Sequence, residues 1–158
     1  MSTGYSKNSS VRRVQAIADF QFGGLCGTAL FPDGCEFMLS STGRIRQILF
    51  DGKRLATVRA QDGRLTLGIE GARRLHAYLP APQYRVVVRQ DVAEFIAQGK
   101  NVFAKHVIAA DPAIRAGDEV LVVTDNDQLL ACGTATLSGA EMLAFNYGEA
   151  VKVRQGSE

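Results

Sequence analysis

The sequence predicts two small domains of the α+β class, an antiparallel sheet with packed helices followed by a small mixed β-barrel. Three observations carry that prediction. Short apolar, β-branched segments recur along the 158 residues and are punctuated by turn dipeptides. Between them lie brief stretches with helical spacing, bounded by cap or glycine signals. The stretch YLPAPQYR contains Pro80 and Pro82, which end whatever precedes them and mark a linker. The domains are therefore set at residues 1–80 and 81–158.

A chain of this length buries roughly 68–70% of the surface its unfolded form exposes, so a real core is expected. Hydrophobic residues make up 46% and charged ones 22%, and no apolar run approaches the ~18 residues that a membrane helix needs. The amino end, MSTGYSKNSS, is polar and lacks the apolar stretch of a signal peptide, which points to the cytoplasm. Cys26, Cys35 and Cys132 are odd in number and form no C-x-x-C pair, and only His76 and His106 are available to join them. Neither a disulfide framework, a metal site nor a cofactor is expected.

In the first domain, SSVRRVQAIADFQFGG offers Ser9 and Ser10 as caps and spaces Val11, Val14, Ala18 and Phe22 at helical intervals. Gly23 and Gly24 stop it, and Arg12 and Arg13 fall on the exposed side. EFMLSS, RIRQILF, RLATVRA and RLTLGI then read as a four-strand meander, separated by Thr42-Gly43, Asp51-Gly52 and Asp62-Gly63. Aspartate-glycine between such segments is a strong hairpin signal, because a type I′ turn demands positive φ. GARRLHAYL adds a helix with Ala72, Leu75 and Leu79 on one face.

The second domain opens with the extended run YRVVVRQ. DVAEFIAQG reads as a short helix in which Asp91 and Glu94 form a capping box, Val92, Phe95 and Ile96 form the apolar stripe, and Gly99 closes the end. GKNVFAKHV is the exit of that helix turning into an extended segment, with Val102 and Phe103 read as barrel core. Two strands around Asp125-Asn126-Asp127 follow, then a second capping box at Ser138 and Glu141, then GEAVKVR as the last strand. Many short strands with two short helices make a small barrel.

Charge separates the halves. Residues 1–80 carry 11 Lys and Arg against 6 Asp and Glu, a balance of +5, while residues 81–158 carry 7 against 10, or −3. The basic half suggests a polyanionic partner, with Arg44 and Arg46 among the arginines that decorate the sheet. No G-x-S-x-G, H-E-x-x-H or G-x-G-x-x-G stands in the right context, and Gly99-Lys100 lacks the rest of a phosphate loop. No catalytic residue is assigned; an enzyme site built around Asp19, Cys26 and the arginines is the competing reading.

The ordered pieces RVVV, the helix ending at Gly99, NVFAKHV, IRAGDEVLVV, LACGTATLS and GEAVKVR resemble the PUA domain. ADFQFG, TGRIRQILFDGKRLATVRAQDGRLTL and GARRL resemble the accessory domain that precedes the PUA domain in archaeosine tRNA-guanine transglycosylase. Together the resemblance spans roughly residues 11 to 155. That family's catalytic domain is a TIM barrel of about 250 residues, for which this chain has no room. The resemblance implies binding of tRNA or another structured RNA at the acceptor stem and 3′ end, in a non-catalytic subunit acting beside a separate barrel. A free-standing protein acting on ribosomal RNA or ribosome assembly is the alternative. Lys100 and Lys105 are assigned to phosphates, Asn101 to a base or sugar edge, Arg89 and Arg154 as companions, and Arg12, Arg13, Arg44 and Arg46 to a contact from the first domain.

Overall fold

The computed structural model describes residues 7–158, with side chains from residue 9 onward; most of the polar amino end lies outside them. The chain divides into two compact units between Tyr78 and Leu79.

In the first unit, helix α1 spans Lys7–Phe22. Val11, Val14, Ala18 and Phe22 are all buried, because residues three and four apart share a helix face. Ser9 and Ser10 are not caps, since the helix already includes them. Gly23 and Gly24 end it with φ of 87° and 55°. An unpredicted helix, α2 (Cys26–Leu30), then crosses α1 closely. A Cβ on Gly27 would stand 2.2 Å from the Gln15 carbonyl oxygen, so only glycine fits there.

Strands β1 (Glu36–Leu39), β2 (Ile45–Phe50), β3 (Lys53–Val58) and β4 (Leu65–Leu67) form the expected antiparallel meander in chain order. Ile48, Ala56 and Leu67 lie opposite one another and are buried, while the adjoining row Gln47, Thr57 and Thr66 is half-buried. One face is thus packed. Helix α3 (Ile69–Tyr78) lies against β3 and α2 and buries Ala72 and Leu75; Leu79, just past its end, is buried too. Asp51-Gly52 makes the predicted type I′ turn, with φ of 53° and 77°. Asp62-Gly63 does not: only Gly63 has positive φ, and the loop runs from Arg59 to Arg64, whose backbones pair at 2.8 Å. Asp62 instead accepts the Arg64 N–H at 3.0 Å and pairs with the Arg59 guanidinium.

The second unit contains β5 (Arg85–Val88), a 3-10 turn (Gln90–Val92), α4 (Ala93–Ala97), β6 (Val102–Phe103), a 3-10 turn (Ala104–His106), β7 (Val107–Ala110), β8 (Glu119–Val123), β9 (Leu129–Ala135), α5 (Gly139–Ala144) and β10 (Glu149–Gly156). The sheet order is β6-β10-β9-β8-β5-β7, antiparallel except for the parallel pair β5–β8. Its end strands β6 and β7 are consecutive in the chain, joined only by Ala104–His106. The sheet therefore curls until its ends meet, giving a nearly closed mixed barrel. Val86, Val88, Val102, Val120, Met142 and Val151 fill it.

Capping was read correctly at one helix and not at the other. At α5, Ser138 Oγ accepts the Glu141 N–H at 3.1 Å and Glu141 Oε1 accepts the Ser138 N–H at 2.9 Å. At α4 no side chain caps the helix; the chain enters through a 3-10 turn, and Asp91 pairs with Arg89 instead. A five-residue helix has one narrow inner face, which Ile96 and Ala97 fill, so Phe95 stands outside at 58% exposure.

Candidate nucleic-acid interface

The segment that closes the barrel carries the exposed Lys100, Phe103 and Lys105. Helix α4 ends in a Schellman motif: Lys100 N–H donates to the Phe95 carbonyl at 3.1 Å and Gly99 N–H to the Ile96 carbonyl at 2.9 Å, with Gly99 at φ 105°. Lys100 leaves that turn exposed. Asn101 is a strut between β6 and β10. Its Nδ2 donates to Glu149 Oε2 at 3.0 Å and its Oδ1 accepts the Val153 N–H at 2.9 Å, so both ends of the amide are engaged within the protein.

Val102 is buried, as its reading as core requires. Phe103 is not: it alternates to the outer side of the two-residue strand, is 43% exposed, and meets the His106 ring edge-on at 5.9 Å. Lys105 follows on the surface, and neither it nor Lys100 has an ion-pair partner among the described residues. Arg89 lies alongside, since its N–H donates to the His106 carbonyl at 3.0 Å. Its guanidinium grips Asp91 through bonds of 3.1 and 3.2 Å on an exposed surface, where such a pair holds weakly. Burial, then the charges of Arg89 and Lys105, push the His106 imidazole below its ordinary value, while Asp91 opposes them. His106 Nδ1 is buried without a hydrogen-bond partner among the described residues.

Arg154 is placed differently. Its two Nη groups donate to Glu119 at 2.6 and 2.9 Å and to Thr134 Oγ1 at 2.8 Å, and Glu119 is only 3% exposed. A second ion pair, Arg85 to Asp127 at 2.7 Å, joins β5 to the β8–β9 turn. In the first unit, Arg13 of α1 and Arg44 before β2 line one groove of about 410 Å³ with Thr42 and Gly43. Arg12 is exposed on α1 outside that lining, and Arg46 is half-buried on β2.

The residues of the competing enzyme reading serve the fold. Asp19 Oδ1 accepts the Gly27 N–H at 2.6 Å and so anchors the start of α2. Burial, reinforced by the charge of Asp19, raises the Cys26 thiol above its ordinary value, the reverse of what a nucleophile needs. The sequence reading missed the exposure of Phe95 and Phe103; the short lengths of α4 and β6, each with room for few inward side chains, were the available signal. Among the described residues no helix is long and apolar enough to cross a membrane.

The family model for the PUA domain matches residues 84–156, nearly all of the second unit. That for the patch-forming domain C2 of tRNA-guanine transglycosylase matches residues 12–82. The second unit is a PUA domain. The chain's C2 and PUA domains together are 54% identical over 151 residues to the tRNA-guanine(15) transglycosylase of Pyrococcus abyssi, a match that takes in 96% of this chain and 26% of the relative. The corresponding enzyme of Methanocaldococcus jannaschii is 42% identical over 151 residues, which take in 94% of this chain and 23% of the relative. The C2–PUA chain thus spans about a quarter of the transglycosylases it matches. Among solved structures, a hypothetical protein of Pyrococcus horikoshii aligns over 98% of this chain and 93% of its own, with a TM-score of 0.73 and 26% identity. A conserved PUA domain protein from Thermoplasma acidophilum shares the fold at a TM-score of 0.66 and 20% identity.

Proposed function

We propose that the protein binds RNA, holding the acceptor stem and 3′ end of a tRNA, and acts as the non-catalytic tRNA-binding subunit of a tRNA-guanine transglycosylase whose catalytic barrel is a separate chain. The observation that carries this reading is the 54% identity to a transglycosylase across 96% of a chain that amounts to 26% of that enzyme. The surface supports it. Lys100, Lys105 and Arg89 supply phosphate contacts beside Phe103, and Phe95 stands on the preceding helix; a single-stranded end stacks on such rings, whereas duplex RNA is held by phosphate and 2′-hydroxyl contacts. Asn101 and Arg154 hold the barrel behind these residues. On the C2 domain, Arg13 and Arg44 line a groove of their own, with Arg12 and Arg46 as further cations.

The mechanism is positioning. A subunit that grips one end of the tRNA makes the partner's encounter with its guanine effectively intramolecular. Base exchange through a flipped nucleotide would belong to that partner. Phe20, 95% exposed on α1 beside an apolar groove of about 430 Å³, supplies a surface for it. A second reading is a free-standing protein acting on ribosomal RNA; the Pyrococcus horikoshii chain, of nearly the same extent, supports the free-standing part of it alone.

Titrating the chain with labelled tRNA, intact or lacking its terminal nucleotides, tests the first element. Tighter binding of intact tRNA is expected, and equal binding would remove the 3′-end model. Purification from the native host tests the second: a co-purifying barrel protein is expected, and ribosomal RNA without one would favour the alternative.

A further inference from the structure

Helix α3 and the β2–β3 hairpin line an open cavity of about 580 Å³ in the C2 domain, and none of the residues assigned to RNA above is part of its lining. Its construction starts at the Asp51-Gly52 turn, which sets Phe50 directly opposite Lys53. Opposite residues of an antiparallel pair leave the same face of the sheet. Arg74 reaches over from α3, with its guanidinium carbon 5.5 Å from the Phe50 ring centre and its Nε donating to the Ala29 carbonyl at 3.0 Å. That bond fixes the guanidinium plane and leaves both Nη groups without an acceptor among the described residues. Lys53 is exposed and likewise has no ion-pair partner among them. Of the two acids in the lining, Glu70 is held by Arg73 at 3.3 Å, which leaves Asp51 alone to oppose Lys53 and Arg74. Leu55, Ala77 and the 45% exposed Tyr78 complete the walls.

Fixed planar donors, a free ammonium and an exposed aromatic wall match the two ends of a nucleotide, a phosphate and a base. The volume falls in the range of small-ligand sites, about 300–1,000 Å³. We propose that this cavity is a ribonucleotide site, with the phosphate against Lys53 and Arg74 and the base along Tyr78. It rests on the RNA role above only for the source of the nucleotide, which is either an unpaired nucleotide of the bound RNA or a free one.

Two titrations of the full chain separate these sources. In the first, guanosine 5′-monophosphate is followed by NMR, with guanosine as the control. Shifts at Phe50 and Tyr78 that need the phosphate are expected, weakened at least roughly fivefold by Lys53→Glu. In the second, a tRNA transcript is bound across a salt series; Lys53→Glu and Tyr78→Ala should each weaken binding roughly tenfold, and Lys53→Glu should reduce the salt slope by about 1. Losses in both titrations assign the site to RNA, and a loss in the first alone assigns it to a free nucleotide. The site is overturned if the mononucleotide shifts nothing and Tyr78→Ala leaves tRNA affinity unchanged, whatever a charge reversal does. A chain that binds no tRNA at all would sink the proposed function, and the mononucleotide titration would still decide the cavity.

Discussion

Phe95 and Phe103 show how far one side chain's direction decides a role. Helical spacing puts Phe95 on an apolar stripe and the need of a small barrel for bulky inward residues puts Phe103 in its core, yet both face solvent at 58% and 43% exposure. Phe95→Ala and Phe103→Ala should each weaken binding of a single-stranded tRNA end by about 1–3 kcal/mol, the range for losing one base–aromatic stack, without lowering the urea midpoint. Fluorescence anisotropy with a short 3′-end oligonucleotide measures the first effect and equilibrium unfolding the second; a lost midpoint with unchanged affinity would return the rings to the core. His106 offers a pH signature. Its folded pKa is depressed, by burial first and by Arg89 and Lys105 second, so the unfolded chain takes up a proton near pH 6.5 that the folded chain refuses. Stability from this group is therefore fully present above about pH 6.5 and is lost as the pH falls toward the folded value. Urea midpoints between pH 7.5 and 5.5 should decline less in His106→Gln than in the parent. Bound phosphates would offset the neighbouring cations and raise the pKa, which an NMR titration with and without RNA reads directly.

At the scale of elements, most of the meander was legible because turn chemistry is local. Asp51-Gly52 needs positive φ at both residues and obtains it, whatever the rest of the fold does. Capping at α5 was legible for the same reason. What the sequence could not show were decisions taken between distant segments. Asp91 had the right spacing for a capping box but found Arg89 two residues away. Asn101 and Arg154 had the right chemistry for RNA, but residues 48 and 35 positions away claim them. The Arg154–Glu119 pair gives an asymmetric prediction. Arg154→Ala strands a carboxylate that is 3% exposed, whereas Glu119→Ala strands a guanidinium whose side chain is 26% exposed and can reach water. Removing one partner of a buried pair costs about 3–5 kcal/mol, so Arg154→Ala should lie toward the upper end and Glu119→Ala below it. Chemical unfolding of the two variants checks the order, and equal losses would show that burial of the survivor does not control the cost.

For the whole molecule, the open quantity is how much of the RNA contact each domain supplies, and salt dependence measures it. The charge balance of +5 in residues 1–80 and −3 in residues 81–158 places the positive field on the C2 side, although the PUA domain carries the exposed Phe95 and Phe103. If only Arg89, Lys100 and Lys105 meet phosphates, the slope of log K against log salt should be about −2 to −2.7, and affinity should fall roughly 20- to 40-fold between 50 and 200 mM salt. If Arg13, Arg44, Lys53 and Arg74 join them, the slope should steepen to about −5 to −6, and the same change of salt should cost roughly 10³- to 10⁴-fold. The C2 cations have open space before them, in a groove and in a cavity, and the domain's excess positive charge would otherwise stand unscreened against an approaching duplex. The steeper slope is therefore expected for full-length tRNA and the shallower one for a short 3′-end oligonucleotide that reaches only the PUA surface. Equal shallow slopes for both ligands would confine the RNA contact to the PUA domain and leave the C2 domain to face a protein.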